Sequence, residues 1–148
     1  DAVPLARDVD IEHRPIAGDP VAVGMGKPHA VCFVDDITQV DLPTRGAAVE
    51  HDPMFPERTN VEFAQVRSRD EIRMRVWERG AGITLACGSG ACATLVAASL
   101  RGLTDKKARM EVDGGWLTLE WRDDGVWMTG PTSLVFSAEF DASFLEQI

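Results

Sequence analysis

Cys87 lies in the run Ala86-Cys87-Gly88-Ser89-Gly90-Ala91-Cys92, downstream of Glu78-Arg79-Gly80-Ala81-Gly82. Glycines around a thiol let the backbone approach a bound molecule closely. The small and apolar run ACATLVAASL that follows has helical period, with Cys92, Leu95, Val96, Ser99 and Leu100 on one stripe. Cys87 is therefore expected at a helix start. There, free N–H groups and the positive dipole end suit a carboxylate, and the same field favours a thiolate. The chemistry implied is proton transfer or nucleophilic attack by Cys87. Cys92 and Cys32 read as small buried hydrophobes. His29, after Gly26-Lys27-Pro28, and the pair Glu78-Arg79 can each be plain structural or surface residues, as can Asn60 at a strand start. His13 and His51 have no partner pattern. No CxxC or HExxH spacing is present, so no metal site is expected.

The elements that must position these residues read as α+β. Val21–Met25, Ala30–Val34, Asn60–Ser68 and Glu71–Arg79 read as strands. The last is the clearest, with Ile72, Met74 and Val76 on one face and Glu71, Arg73 and Arg75 on the other. Asp41 can cap a short helix over 41–50, with Pro43 in its first turn and Gly46 weakening its interior. Ala108–Asp113, Trp116–Arg122, Val126–Thr129 and Leu134–Phe140 read as further strands, with Asp113-Gly114-Gly115 and Asp123-Asp124-Gly125 as hairpin turns. The expected fold is a curved antiparallel sheet of seven or eight strands wrapped round one central buried helix, with room for a second. Residues 1–20, broken by Pro4, Pro15 and Pro20, read as a linker ahead of a domain over 21–148.

Composition bounds the function. The chain has 148 residues, 45% hydrophobic and 26% charged, which fits one globular domain. A net charge of -9, with no Lys/Arg stripe, works against a phosphate-tracking nucleic-acid binder. No apolar run approaches the roughly 20 residues that span a bilayer, and no signal peptide is expected. Three cysteines make a disulfide framework improbable and suit a reduced, cytoplasmic setting. The chain begins at Asp1 without an initiator Met, so the expectation is of a processed chain or, ahead of that, a piece cut from something longer.

GMGKPHAVCFVDD, HDPMFPERTNVEFAQV, RVWERGAGITLACGSGACATLVAA, DGGWLTLEW and WMTGP resemble, in order, the C-terminal half of diaminopimelate epimerases. The resemblance covers nearly the whole chain. It implies a cofactor-independent epimerase of 2,6-diaminoheptanedioate (LL to meso), free of pyridoxal phosphate and metal, in lysine biosynthesis. It implies two domains of like fold, a cleft between them, one cysteine from each, and a homodimer in the complete enzyme. Cys87 matches the second cysteine. Asn60 and Arg79 match substrate-binding positions; Gly88 and Ser89 match the donors that hold the α-carboxylate. His29 and Glu78 match polar residues close to the reacting centre. Lys27 stands where the family has Asn in a GNPHA-like segment and remains a substrate-binding candidate; Ile83 stands where the family usually has Glu. The CGN-type motif of the first cysteine is absent, as is the N-terminal domain that carries it, so the isolated chain is expected to be inactive. Competing readings are a proline racemase-like two-cysteine isomerase domain, a cysteine hydrolase using Cys87 and His29, and a non-catalytic binding or assembly domain. In the family the chain's end returns to the first domain, so Leu134 to Ile148 is expected to be mobile, locally refolded or used in a dimer contact.

Overall fold

The computed structural model describes residues 5–8 and 20–145. Nine strands among them form one curled sheet: β1 (Leu5–Asp8), β2 (Val21–Gly24), β3 (Pro28–Phe33), β4 (Asn60–Ser68), β5 (Glu71–Glu78), β6 (Gly82–Thr84), β7 (Lys107–Val112), β8 (Gly115–Arg122) and β9 (Gly125–Thr129). The spatial order is β1-β2-β3-β4-β5-β7-β8-β9, with β6 laid on β5. Three helices accompany it: α1 (Leu42–Glu50), α2 (Gly88–Leu100) and the single turn α3 (Ala142–Leu145). This is the expected α+β sheet around a buried helix. Leu5–Asp8, within the stretch read as a linker, forms an edge strand; residues 1–4 and 9–19 of that stretch lie outside the described residues.

Two pairings, β3 with β4 and β5 with β7, are parallel, where an antiparallel sheet was expected throughout. Both follow from chain connection. A tight turn returns a strand antiparallel, whereas a long crossover brings it back parallel. The first crossover carries a 3-10 turn (Ile37–Gln39) and α1; the second carries β6 and α2. The helices take opposite faces. Beneath α2 lie Val21, Val23, Val31, Ala64, Ile72, Met74 and Val76, with Leu95 and Val96 of the helix itself. Beneath α1 lie Ala30, Cys32, Val61 and Phe63, with Leu42 and Val49. The central strands are thus buried on both sides, which explains the unalternating run of β4 from Asn60 to Ala64. Every residue of α2 from Gly90 to Ala98 is buried, as a helix apolar all round must be.

Asp41 caps α1 as its position predicts, accepting from the Thr44 amide at 3.4 Å. The charged face of β5 latches the β7–β8 turn: Arg73 pairs with Asp113, and Arg75 reaches the same carboxylate at 3.5 Å. The expected strand over Leu134–Phe140 is not formed. Residues 130–141 carry no ladder partner, and a strand exists only through its ladder. Leu134, Val135 and Phe136 are exposed, while Phe140 and Phe144 stack at 5.4 Å. Residues 146–148 lie outside the described residues.

Gly46 has a reason to interrupt α1. A Cβ there would lie 2.5 Å from Cβ of Trp77, which is backbone-anchored and cannot swing away. Helix propensity alone would make Gly46→Ala stabilising by about 1 kcal/mol. We expect the reverse, a loss of about 1–3 kcal/mol from overpacking, read as a lowered urea midpoint at constant slope.

Candidate active site at the start of helix α2

The two crossovers bring the first residues of β3 and β4 beside the last of β5. His29 is in register with Asn60 across the parallel pair, and Val61 with Trp77 across the antiparallel one. Asn60 and Glu78 therefore meet on the face that carries α2. The Asn60 side-chain oxygen accepts from the Arg79 amide at 2.8 Å. Glu78 accepts from the Thr84 hydroxyl of β6 at 2.5 Å. The Arg79 guanidinium donates to the Glu57 carbonyl at 3.0 Å, which turns it towards the loop before β4.

Cys87 is the N-cap of α2, with extended backbone. Its sulfur accepts from the Gly90 amide at 3.4 Å and lies 3.5 Å from the Ser89 hydroxyl. An N-cap normally offers oxygen to those amides; here a sulfur takes the place. Cys87 is 9% exposed and belongs to the core cluster beneath α2, so the thiol is buried. Burial pushes the Cys92 thiol up, and pushes Cys32 up to about 12 with Glu62 adding to the effect. Those two behave as apolar residues. Lys27 is exposed in the β2–β3 turn, where its carbonyl accepts from the Met25 amide at 3.1 Å. Ile83 is exposed on β6 and pairs with Trp77. The structure thus gathers His29, Asn60, Glu78 and the Arg79 main chain at neighbouring strand ends, sets Gly90 of the α2 start against Glu62 of β4, and leaves Lys27 exposed in the β2–β3 turn.

His29 is fully buried, and its Nδ1 lies 2.7 Å from Oε1 of Glu62, which is also fully buried. Its Nε2 has no hydrogen-bond partner among the described residues, so Cys87 and His29 are not hydrogen-bonded as a hydrolase dyad requires. Glu62 was missed in the sequence. Its signal was an acidic residue inside the apolar run of NVEFAQV. Burial pushes its carboxyl above the ordinary range, opposed by the His29 contact. Among the described residues no group of three or more His, Cys, Asp or Glu side chains could hold a metal ion, and no helix is long and apolar enough to cross a membrane.

Glu50, at the end of α1, was missed as well. It is 3% exposed, accepts from the Trp77 indole at 2.6 Å and from the Gly80 amide at 3.1 Å, and lies 3.7 Å from the Arg58 guanidinium. Arg58 adopts a left-handed φ of 60°, unusual for its type. Glu50 thereby pins the turn that carries Glu78 and Arg79. Burial works to raise its carboxyl, but the Trp77 and Gly80 donors prevail and it lies below the ordinary value. A lowered folded value means stability present above the unfolded pKa and lost as pH falls through the folded one. Glu50→Gln should cost about 1–3 kcal/mol at neutral pH and flatten the acid limb, in urea unfolding between pH 7 and pH 3.

Comparison with known proteins places this geometry. The family model described as diaminopimelate epimerase matches residues 21–135. A diaminopimelate epimerase of Acidiphilium cryptum is 54% identical over 148 residues, covering 97% of this chain and 53% of that protein. One from Bacteroides thetaiotaomicron is 55% identical over 121 residues, covering 80% and 45%. The chain therefore spans about half the length of the curated relatives it matches. Among solved structures, a hydroxyproline epimerase from Agrobacterium vitis superposes with a TM-score of 0.58 at 14% identity, over 90% of this chain and 44% of that one. A PhzF-family phenazine biosynthesis protein of Bacillus anthracis gives 0.53 at 22% identity, over 70% and 34%. These two likenesses concern the fold alone. A curled sheet on a buried helix, a matched stretch running from β2 past β9, and identity above half to these relatives lead to one assignment: the chain belongs to the diaminopimelate epimerase family.

Proposed function

We propose that this chain is the C-terminal half of a diaminopimelate epimerase, supplying one of two cysteines that move a proton on and off the α-carbon of 2,6-diaminoheptanedioate. The single observation that carries the reading is Cys87 as the sulfur N-cap of α2, held by the amide of the Gly90 that packs against Glu62 of β4. Inverting a stereocentre by proton transfer takes a base on one face and an acid on the other. A thiol suits both tasks, and Cys87 serves one face.

The carbanion that forms beside a carboxylate needs donors aimed at that carboxylate before the proton leaves. The amides of Gly88 and Ser89 and the Ser89 hydroxyl, at the positive end of α2, take this role. Asn60, held by the Arg79 amide, and the Arg79 side chain bind the substrate's polar groups. Glu78 and His29 line the reacting centre. Lys27 reaches the substrate from the rim as a cation, where the family has an amide. The second cysteine, the other half of the carboxylate grip and the closed cleft come from an N-terminal domain. On this reading the setting is cytoplasmic, the pathway is lysine biosynthesis, the complete enzyme is a homodimer, and no cofactor takes part.

The test is α-hydrogen exchange of diaminopimelate in heavy water. The chain alone should exchange nothing measurable; joined to an N-terminal half it should exchange and epimerise. In the joined protein Cys87→Ala should lower kcat by about 10²–10⁴ or more, the scale of a lost acid/base group. Robust exchange by the lone chain would overturn the two-domain argument, and turnover of proline alone would favour a different substrate class.

A further inference from the structure

The Glu62–His29 pair poses a problem of charge. Both side chains have no exposed surface, and two of their polar atoms, His29 Nε2 and Glu62 Oε2, have no hydrogen-bond partner among the described residues. Three states fit the 2.7 Å contact between Nδ1 and Oε1. An ionised Glu62 with a neutral imidazole leaves a net negative charge sealed from water, with one carboxylate oxygen unserved. An ionised Glu62 with an imidazolium leaves both unpartnered atoms on charged groups. A neutral acid with a neutral imidazole leaves only a carbonyl oxygen and one ring N–H unserved. Unpaired charge is what burial penalises most.

Beside the His29 contact, the Glu62 main-chain N–H favours the ionised form; the other neighbours do not. From β5 the negative Glu78 acts against ionisation of Glu62, and on β3 Cys32 feels Glu62 without offering a charge of its own. From α2 the Gly90 backbone packs so close to the carboxyl that a Cβ there would lie 2.5 Å from Oε1. The Gly90 amide is committed to Cys87, so the helix start offers Glu62 no hydrogen bond from that group. From β4, Asn60 is committed to Arg79.

We propose that Glu62 is protonated in the folded protein and donates its hydrogen to Nδ1 of His29, holding Nε2 as an N–H donor. The hydrogen stays on Oε1, the imidazole lone pair at Nδ1 accepts it, and the ring hydrogen sits on Nε2. Glu62 is then a positioning residue acting through His29. Its bearing on proton transfer rests on the epimerase reading: His29 so held carries its hydrogen on Nε2 and cannot itself accept the α-proton. Burial raising the Glu62 carboxyl is in accord.

The test uses the chain alone and reads no activity, so its failure and that of the epimerase reading are separable. Infrared spectra at pH 7 should show a protonated-carboxyl carbonyl stretch that vanishes in Glu62→Gln. Ring ¹⁵N spectra, assigned with His13→Gln and His51→Gln, should show His29 with hydrogen on Nε2 and a bare Nδ1. Glu62→Gln should fold and keep that tautomer, because its amide N–H donates to Nδ1 as the acid does. A carboxyl raised on folding binds more protons folded than unfolded, so its contribution to stability falls as pH rises above the unfolded value. Glu62→Gln lacks that penalty. In urea unfolding its midpoint should gain on wild type between pH 5 and pH 7. Absence of the carbonyl band, hydrogen on Nδ1, a midpoint that loses ground as pH rises, or failure of Glu62→Gln to fold would each overturn the proposal.

Discussion

The contact between Gly90 and the Glu62 carboxyl sets the distances on which the site depends. Helix α2 is buried on every side over Gly90–Ala98, so it cannot slide or rotate without losing core contacts on both flanks. Its first turn must therefore lie against β4 wherever the strand's side chains permit. A Cβ at Gly90 would fall 2.5 Å from Oε1, and Glu62 is tied on its other side to His29 at 2.7 Å. The glycine, the acid and the imidazole form one stack across helix, β4 and β3. Moving any one displaces the Cys87 cap, because the amide that holds the sulfur belongs to that same Gly90.

A second constraint works from the opposite face. Trp77 points towards α1, fills the space a side chain at Gly46 would need, and gives its indole hydrogen to Glu50. Glu50 then holds the Gly80 amide. The residue before that turn, Glu78, faces α2, so α1 determines from behind where the acid of the other face ends. The sheet transmits position between two helices that do not share a core cluster. The alternation of β5 makes this possible: Val76 and Glu78 face one way and Trp77 the other.

That alternation was legible in the sequence, as were the all-round apolar helix, its sulfur-bearing start, the Asp41 cap and the hairpins at 113–115 and 123–125. Each is a local pattern whose cause lies within a few residues. The parallel pairings were not legible, because their cause is the length and course of a crossover rather than any residue in the strands. β6 was hidden for a related reason: three residues with Ile83 exposed carry no readable period. Glu62 and Glu50 escaped because an acidic residue is assigned to solvent by default, and only the meeting of strands distant in sequence shows what each is bonded to. The segment 134–140 has good strand composition, yet composition supplies no partner.

That last segment bears on how much of an epimerase one such domain can be. Leu134, Val135 and Phe136 are 89%, 83% and 76% exposed, three large apolar residues in a row. Covering such a run is worth about 25 cal/mol for each Å² removed from water, and nothing among the described residues covers it. The catalytic side differs, because Cys87 and His29 are both buried. On the proposed reading a second domain covers the bare apolar run and brings the second cysteine with it. The stability of that union and the chemistry at its seam would then rest on the same contact.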